Sequence, residues 1–300
     1  MQKTILSTAD VARLFNVTET TVKRWADEGT LKCQKTPGGH RKFEIRNVID
    51  FADQNHFEPA GTLTMPESDE HAPAVQAAIL GRNFPVLVGA FVQKALSPDP
   101  LDLFRFLSFL YEHRIHLWEI YDLVLRPAMA LIGEQWARGE IDISHEHRAS
   151  YETLDALAKL QAQIHIKPPI GKSVVCACLG EEAHEIGLRC ASNLFESEGW
   201  KSHYLGARSP HPALTVAIRE LRPDAVCLSI THLADENNLA EQLGEISGVI
   251  HSAHGILIAG GRAASPGLLG DGIVDAVISS SKNLLDFLTQ MHRSARAMHH

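Results

Sequence analysis

The chain has 300 residues, 45% of them hydrophobic, with five cysteines and a formal net charge of −8 at pH 7. That is enough for two or three domains with buried cores, while the lack of any apolar run of transmembrane length and of a signal-peptide pattern makes a membrane partner unexpected and a cytoplasmic location expected. Cysteines without paired spacing match a reducing compartment, and Cys176 and Cys178, two apart in a strand-like run, are expected to be small core residues rather than metal ligands.

Charge is spread unevenly along the chain. Residues 1–56 carry a net of +2 and the remainder a net of −10. Within the first segment Lys32, Lys35, Arg41, Lys42 and Arg46 stand against Glu44 alone, the density expected of a phosphate-contacting surface. Ser7 to Phe15 reads as a capped helix with Val11, Leu14 and Phe15 on one face. Asn16-Val17-Thr18 reads as a turn, and a second helix from Thr18 or Glu19 runs through Val22 and Trp25 to a terminating Gly29. Two short helices about a tight turn form a helix-turn-helix, whose second member enters the major groove of DNA. Its face away from Val22 and Trp25 offers Thr20, Thr21, Lys23 and Arg24 to bases or phosphates. A hairpin over Lys32–Phe43 turns at Pro37-Gly38-Gly39 and carries His40, Arg41 and Lys42, a basic loop able to approach a sugar-phosphate backbone closely. With its Arg24-Trp25 pair and Gly-Gly-His-Arg-Lys-Phe wing, the segment 4–55 resembles the MerR-type winged helix, a module that phage excisionases share. That resemblance implies double-stranded operator DNA as a partner.

Residues 57–72 mix Pro, Gly, Thr, Ser and acids without periodicity and read as a linker. It stands in place of the long coiled-coil helix through which many MerR-type proteins dimerise, so self-association has to come from the domains C-terminal to it. Apolar spacing of three and four then predicts helices over 74–82, 85–96, 100–113, 117–138 and 143–164. Pro85, Pro98 and Pro100 sit at helix starts, whereas Pro127 falls inside the fourth helix and should kink it. The expected bundle core is Leu103, Phe106, Leu107, Leu110, Trp118, Ile120, Leu123, Leu131 and Ile132. Trp136-Ala137-Arg138-Gly139-Glu140 ends one helix, Asp142 or Ser144 caps the next, and His145-Glu146-His147 opens it.

Beyond a connection at 167–172, residues 173–295 alternate strands near 173–179, 201–206, 225–230, 255–259 and 274–278 with helices near 186–198, 211–221, 237–252 and 282–292. This is the pattern of a doubly wound parallel sheet. No Gly-x-Gly-x-x-Gly follows its first strand, which argues against an ordinary nucleotide fold. Instead the loop there carries Glu182, His184 and Gly187. In such sheets ligands bind outside the carboxyl ends of the strands, so His184 is placed as a ligand, Glu182 to hold its second ring nitrogen, and Gly187 to admit a bulky group. By chance this acid-x-His-x-x-Gly pattern arises roughly 0.14 times in a chain of this composition, so it needs support. Ser229-Ile230-Thr231 and Gly260-Gly261, at two further strand ends, offer hydroxyls and room for a long group. His203, His211, His232, His251 and His254 lack ligand spacing and are expected to be surface or hydrogen-bonded residues, with His299-His300 in a disordered tail.

Together Glu182-x-His184-x-x-Gly187, Ser229-x-Thr231 and Gly260-Gly261 resemble the cobalamin-binding signature of methionine synthases and corrinoid proteins. The resemblance implies that His184 is the lower axial ligand to cobalt and that the displaced dimethylbenzimidazole tail lies near Ser229, Thr231, Gly260 and Gly261. Glu182 stands where the family usually has Asp. Trp136 followed after nine residues by Glu146-His147 resembles the bundle of the CarH and LitR photoreceptors, MerR-type regulators that bind adenosylcobalamin. That likeness implies that Trp136, Glu146 and His147 lie over the upper face of the cofactor; Ala137 stands where the best-known members have a His that binds cobalt after light.

The expected architecture is therefore multidomain: an all-α winged helix-turn-helix over 1–56, a linker over 57–72, a helical bundle over 73–166 and an α/β doubly wound parallel-sheet cobalamin-binding domain over 173–295. The expected function is a non-enzymatic, light-responsive repressor whose adenosylcobalamin-stabilised dimer or tetramer binds operator DNA by multivalency and is released on Co–C photolysis. The alternatives are a corrinoid methyl-carrier subunit of a methyltransferase, which has no use for a winged helix, and a DNA-binding regulator sensing another chromophore such as a bilin.

Overall fold

The computed structural model describes residues 5–15, 17–36, 38–44, 47–48, 51, 72–231, 236–264 and 272–297. The expected linker lies outside the described residues except for Ala72, which already opens a helix; His232, Pro37, Asn16 and the His299-His300 tail also lie outside.

The N-terminal part is built from β1 (Ile5–Ser7), α1 (Thr8–Leu14), α2 (Glu19–Asp27), β2 (Gln34–Lys35) and β3 (Arg41–Glu44), with the strands in the antiparallel order β1-β3-β2. Thr18 adopts an extended backbone and its side chain accepts from Thr21 N, so it is the cap that starts α2. Val22 is fully buried, and Trp25 packs edge-on to Phe15 and against Phe51, with ring centroids 5.8 and 5.0 Å away. Those three rings fix the crossing of α1 and α2, because each ring buries a large apolar area and aromatic edges prefer faces.

The bundle comprises α3 (Ala72–Gly81), α4 (Phe84–Ala95), α5 (Asp102–Glu112), a long rod α6 and α7 (Ile143–Gln161). The rod α6 is α-helical over Leu117–Glu119, π-helical over Ile120–Leu125 and α-helical again over Arg126–Ala137. The π-helical wind falls immediately before Pro127, where the kink is expected. A proline has no N–H to donate and its ring crowds the carbonyl four residues back, here that of Leu123. The chain meets that crowding with a wide wind placed just before the proline, in which Arg126 N donates five residues back to the Tyr121 carbonyl. Of the expected core, Leu103, Phe106, Leu107, Leu110, Ile120 and Ile132 are buried. Trp118, Leu123 and Leu131 are only half-buried, and the Lys282 ammonium sits 5.6 Å over the Trp118 ring.

The C-terminal part follows the expected alternation: β4 (Ser173–Leu179), α8 (Ile186–Ser197), β5 (Lys201–Ser209), α9 (His211–Leu221), β6 (Ala225–Ser229), α10 (Glu236–Ser252), β7 (Ile256–Gly260), β8 (Ala276–Ile278) and α11 (Ser281–Ala297). The strands are all parallel in the order β5-β4-β6-β7-β8. Strand order reverses between β4 and β6, and in open sheets that reversal opens the ligand crevice. Alternate residues of each strand point to opposite faces. Val175, Ala177, Leu179, Val226 and Leu257 meet α9 and α10 on one side, whereas Val174, Cys176, Cys178, Cys227 and Ile258 face the other.

That second face is continuous with the bundle. Tyr121, Leu157 and Leu160 of the bundle, Leu188, Cys190 and Phe195 of α8, and Leu284 and Leu288 of α11 share one buried core with it. All four cysteines on this side are free and buried, and burial pushes the Cys178 thiol up to about 12, so it packs as a neutral thiol. Leu80 of α3 meanwhile packs into the separate N-terminal core.

Thr18→Ala removes the α2 cap and is expected to lower stability by about 1 kcal/mol in urea unfolding, with the loss confined to the N-terminal part by hydrogen exchange. Unchanged protection of α2 would contradict the cap assignment.

Candidate functional site

The loop between β4 and α8 emerges at the β4/β6 crevice and is pinned on both sides. On the β5 side Gly180 N donates to Ser209 O and Arg208 N to Glu182 O, both at 2.9 Å. Glu185 Oε2 accepts from Tyr204 OH at 2.9 Å and from Ala207 N at 3.2 Å, and the Arg189 guanidinium lies 3.5 Å over the Tyr204 ring. On the β6 side Glu182 Oε2 accepts from Thr231 N at 2.8 Å. The other oxygen of the same carboxylate, Oε1, meets His184 Nδ1 at 2.6 Å and accepts from His184 N at 2.8 Å. The Glu182 side chain is only 6% exposed while that of His184 is 66% exposed.

A carboxylate can only accept, so Nδ1 carries a proton, and in the neutral ring the lone pair lies on Nε2. The imidazole is thus held as a single forward-facing donor, oriented by a buried anion. Among the described residues no group of three or more His, Cys, Asp or Glu side chains is placed to hold a metal ion. A metal bound here would bring its own equatorial donors, as cobalt in a corrin ring does. Gly187 fits such a group, since a side-chain carbon there would meet nothing within 4 Å.

Ser229 is buried at the end of β6, and the Thr231 contribution to the loop comes through its backbone amide. A Cβ at Gly261, where φ is +107°, would lie 2.3 Å from Ile230 O, and one at Gly260 would lie 3.1 Å from Ile278 O. Glycine at 261 is required by two backbones in close approach, with Ile230 N donating to Gly260 O at 2.7 Å.

On the bundle, Trp136 is 47% exposed in the last turn of α6. Asp142 caps α7 by accepting from Ser144 N at 2.8 Å. Glu146 is half-buried, with Oε2 on His147 Nδ1 at 2.8 Å and Oε1 accepting from Ser150 at 2.9 Å. Pairing is therefore within each group, Glu146 with His147 and Glu182 with His184.

At the N-terminal end a groove of about 720 Å³ is lined by Ser7, Thr8 and Ala9, by Glu19 and Lys23 of α2, and by Thr36 and Gly38 to Lys42 of the wing. It brings Lys23, His40, Arg41 and Lys42 together; Thr20, Thr21 and Arg24 lie outside its lining. Arg41 is engaged within the protein. Its Nη2 lies 2.7 Å from both Asp27 oxygens, and Lys35 approaches the same carboxylate at 3.3 Å. The Arg41 hydrogen bond holds the Asp27 carboxyl below the usual carboxylate range, so the clamp is intact above that range and is lost as pH falls through the depressed value. Nothing in the local sequence signals this pairing, which spans fourteen residues.

Sequence comparison agrees with this layout. Residues 5–56 match the family described as "Helix-turn-helix domain", and residues 88–160 and 172–287 match two families each described as "B12 binding domain". The chain is 30% identical over 268 residues to the "HTH-type transcriptional repressor CarH" of Myxococcus xanthus, covering 85% of this chain and 88% of that protein. It is 30% identical over 103 residues to the "HTH-type transcriptional repressor CarA" of the same organism, covering 34% of this chain and 35% of that protein. Its fold is similar to that of the monomethylamine corrinoid protein of Methanosarcina barkeri, with a TM-score of 0.56, 12% identity and coverage of 68% of this chain and 96% of the other.

Two glycine substitutions separate close backbone approach from open space. Gly261→Ala should cost roughly 2–4 kcal/mol through backbone strain and collision with Ile230, whereas Gly187→Ala, inside α8 and facing open space, should raise stability by about 0.5–1 kcal/mol. Urea midpoints in the reverse order would contradict both assignments.

Proposed function

The chain belongs to the family of cobalamin-binding helix-turn-helix transcriptional regulators, and from that premise we propose that it is a repressor whose grip on operator DNA is set by adenosylcobalamin held between the bundle and the parallel sheet. The single feature that carries this reading is the Glu182 carboxylate, which fixes His184 and Thr231 across the β4/β6 crevice and leaves His184 Nε2 free to act as the lower axial cobalt ligand. When bound, the cofactor supplies a cobalt–carbon bond that light can cleave. Everything else is done by this chain's residues.

Glu182 sets the angle of the imidazole. Gly187 leaves space beside it, and Ser229, Thr231, Gly260 and Gly261 border the path of the nucleotide tail. Trp136, Glu146 and His147 cover the upper side from the bundle, and the exposed indole of Trp136 gains a partner there. Domain limits of 1–56, 57–72, 73–166 and 173–295 suit this division of labour. A MerR-type winged helix uses Lys23, His40 and Lys42, supported by Thr20, Thr21 and Arg24, to meet phosphates and base edges, with Arg41 holding the wing to α2 through Asp27. A single such module binds weakly, so a homodimer or homotetramer spanning repeated half-sites supplies the affinity. Ala137 removes the side chain that would bind cobalt directly after Trp136, so the state reached after illumination is expected to lack a ligand from that position.

His184→Ala should abolish tight corrinoid retention through gel filtration, and Glu182→Gln should weaken it by about 10–100-fold, the usual effect of losing a carboxylate behind a metal-bound imidazole. A His184→Ala protein that keeps cobalamin as firmly as the wild type sinks the ligand assignment.

Size-exclusion chromatography of adenosylcobalamin-loaded protein in darkness and after illumination tests the switch separately. Earlier elution in the dark and later elution after light are expected; identical elution removes light-controlled assembly from the account while leaving cofactor binding in place.

A further inference from the structure

Three contacts from one short stretch of α6 join parts of the chain that sequence places far apart. Asp122, buried in the π-helical segment, spreads its carboxylate over the first turn of α11, accepting from Ser281 N and Lys282 N at 2.9 Å each. The Arg126 guanidinium donates to Ser279 O at 3.2 Å on the same approach. Three residues before Asp122, buried Glu119 pairs with Arg82, which follows α3 in a left-handed conformation with φ +47°, and accepts from His116 N at 3.0 Å. Helix α3 divides its own side chains, with Val75, Ala78 and Ile79 in the bundle core and Leu80 in the N-terminal core. A continuous chain of contacts therefore runs from the helix-turn-helix through Leu80, α3, Arg82, Glu119 and Asp122 to α11 of the cofactor-binding sheet.

Contiguity alone does not transmit a signal; some element in the path must have a second arrangement. The π segment is such an element. A π wind holds more residues per turn than its α counterpart, so reverting to α geometry rotates Asp122 relative to Glu119 and cannot keep both ends engaged. Beside it, Tyr121 OH accepts from Asn193 Nδ2 at 3.3 Å, and the fully buried Asn193 Oδ1 has no hydrogen-bond partner among the described residues. A buried acceptor left empty costs free energy, which narrows the gap to an alternative packing.

We propose that Glu119–Asp122 is the joint through which the state of the cofactor-binding sheet reaches the DNA-binding end, with Asp122 gripping α11, Glu119 gripping α3 through Arg82, and the π wind between them changing register. Glu119 and Asp122 are positioning residues that touch neither DNA nor cofactor. The joint rests on cobalamin binding at the His184 loop, and the test separates the two.

Hydrogen exchange of the full chain is measured with and without adenosylcobalamin, in darkness. In the wild type, ligand at a hundredfold excess over Kd should slow exchange at 180–187 by up to about 100-fold, and a distinct change should appear at 72–82 and in β1. Arg82→Ala, a change at a partly exposed side chain, should keep the effect at 180–187 and lose the response at 72–82 and β1; Arg82→Lys, which retains a cation for Glu119, should restore it. Asp122→Ala should likewise uncouple the two regions, with Asp122→Asn, which keeps one acceptor for α11, in between. A response at 72–82 that survives both Arg82→Ala and Asp122→Ala, with 180–187 still protected, overturns the joint. Absence of protection at 180–187 in the wild type overturns the cofactor reading, and the joint falls with it.

Discussion

One buried carboxylate sets the geometry on which the functional reading depends. Glu182 sits where strand order reverses, with one oxygen on the His184 ring and backbone and the other on Thr231 N. Hydrogen bonds from the His184 ring, His184 N and Thr231 N satisfy this buried carboxylate. The consequence is directional. An exposed imidazole that would otherwise sample several rotamers is held in one, with its outer nitrogen turned away from the carboxylate. The loop that carries it is tied to β5 through Glu185, Arg208 and Gly180.

The same economy appears between domains. The bundle shares a hydrophobic core with one face of the sheet, so the two cannot part without exposing Tyr121, Phe195 and Leu288 to water. Polar ties at Asp122, Arg126 and Asn193 add direction to that adhesion, because each needs a particular partner at a particular angle. A unit packed in this way favours a change of register over a free opening, because close-packed interfaces are bistable rather than elastic.

Much of this is legible in the amino-acid order. Strands and helices from residue 173 onward are separated by Gly, Pro and Asp and alternate with clear periods, so most of their limits come out within a few residues, although β5 extends three residues and α11 five residues further than their patterns indicate. Glu182 and His184 are two apart, a spacing short enough for the pairing to be read directly. The hidden part depends on contacts across long sequence separations: Thr231 N on Glu182, Asp122 on α11 and Arg41 on Asp27. Local periodicity carries no trace of these. The π segment is hidden for a different reason, since a proline in a helical pattern signals disruption without saying whether the chain will bend or widen. Gly261 is conspicuous in the sequence, but its close approach to the Ile230 backbone is not legible there, because small size is equally useful for a ligand and for a neighbouring backbone.

The central claim is that a histidine nitrogen of this chain, and not the cofactor's own benzimidazole, is the lower ligand to cobalt. Electron paramagnetic resonance of the cob(II)alamin form bound to protein uniformly labelled with ¹⁵N-histidine tests it directly. The account predicts that the superhyperfine triplet from an axial ¹⁴N in unlabelled protein becomes a doublet on labelling. A triplet that persists in the labelled protein would mean that the benzimidazole nitrogen remains on the metal, and would contradict the account.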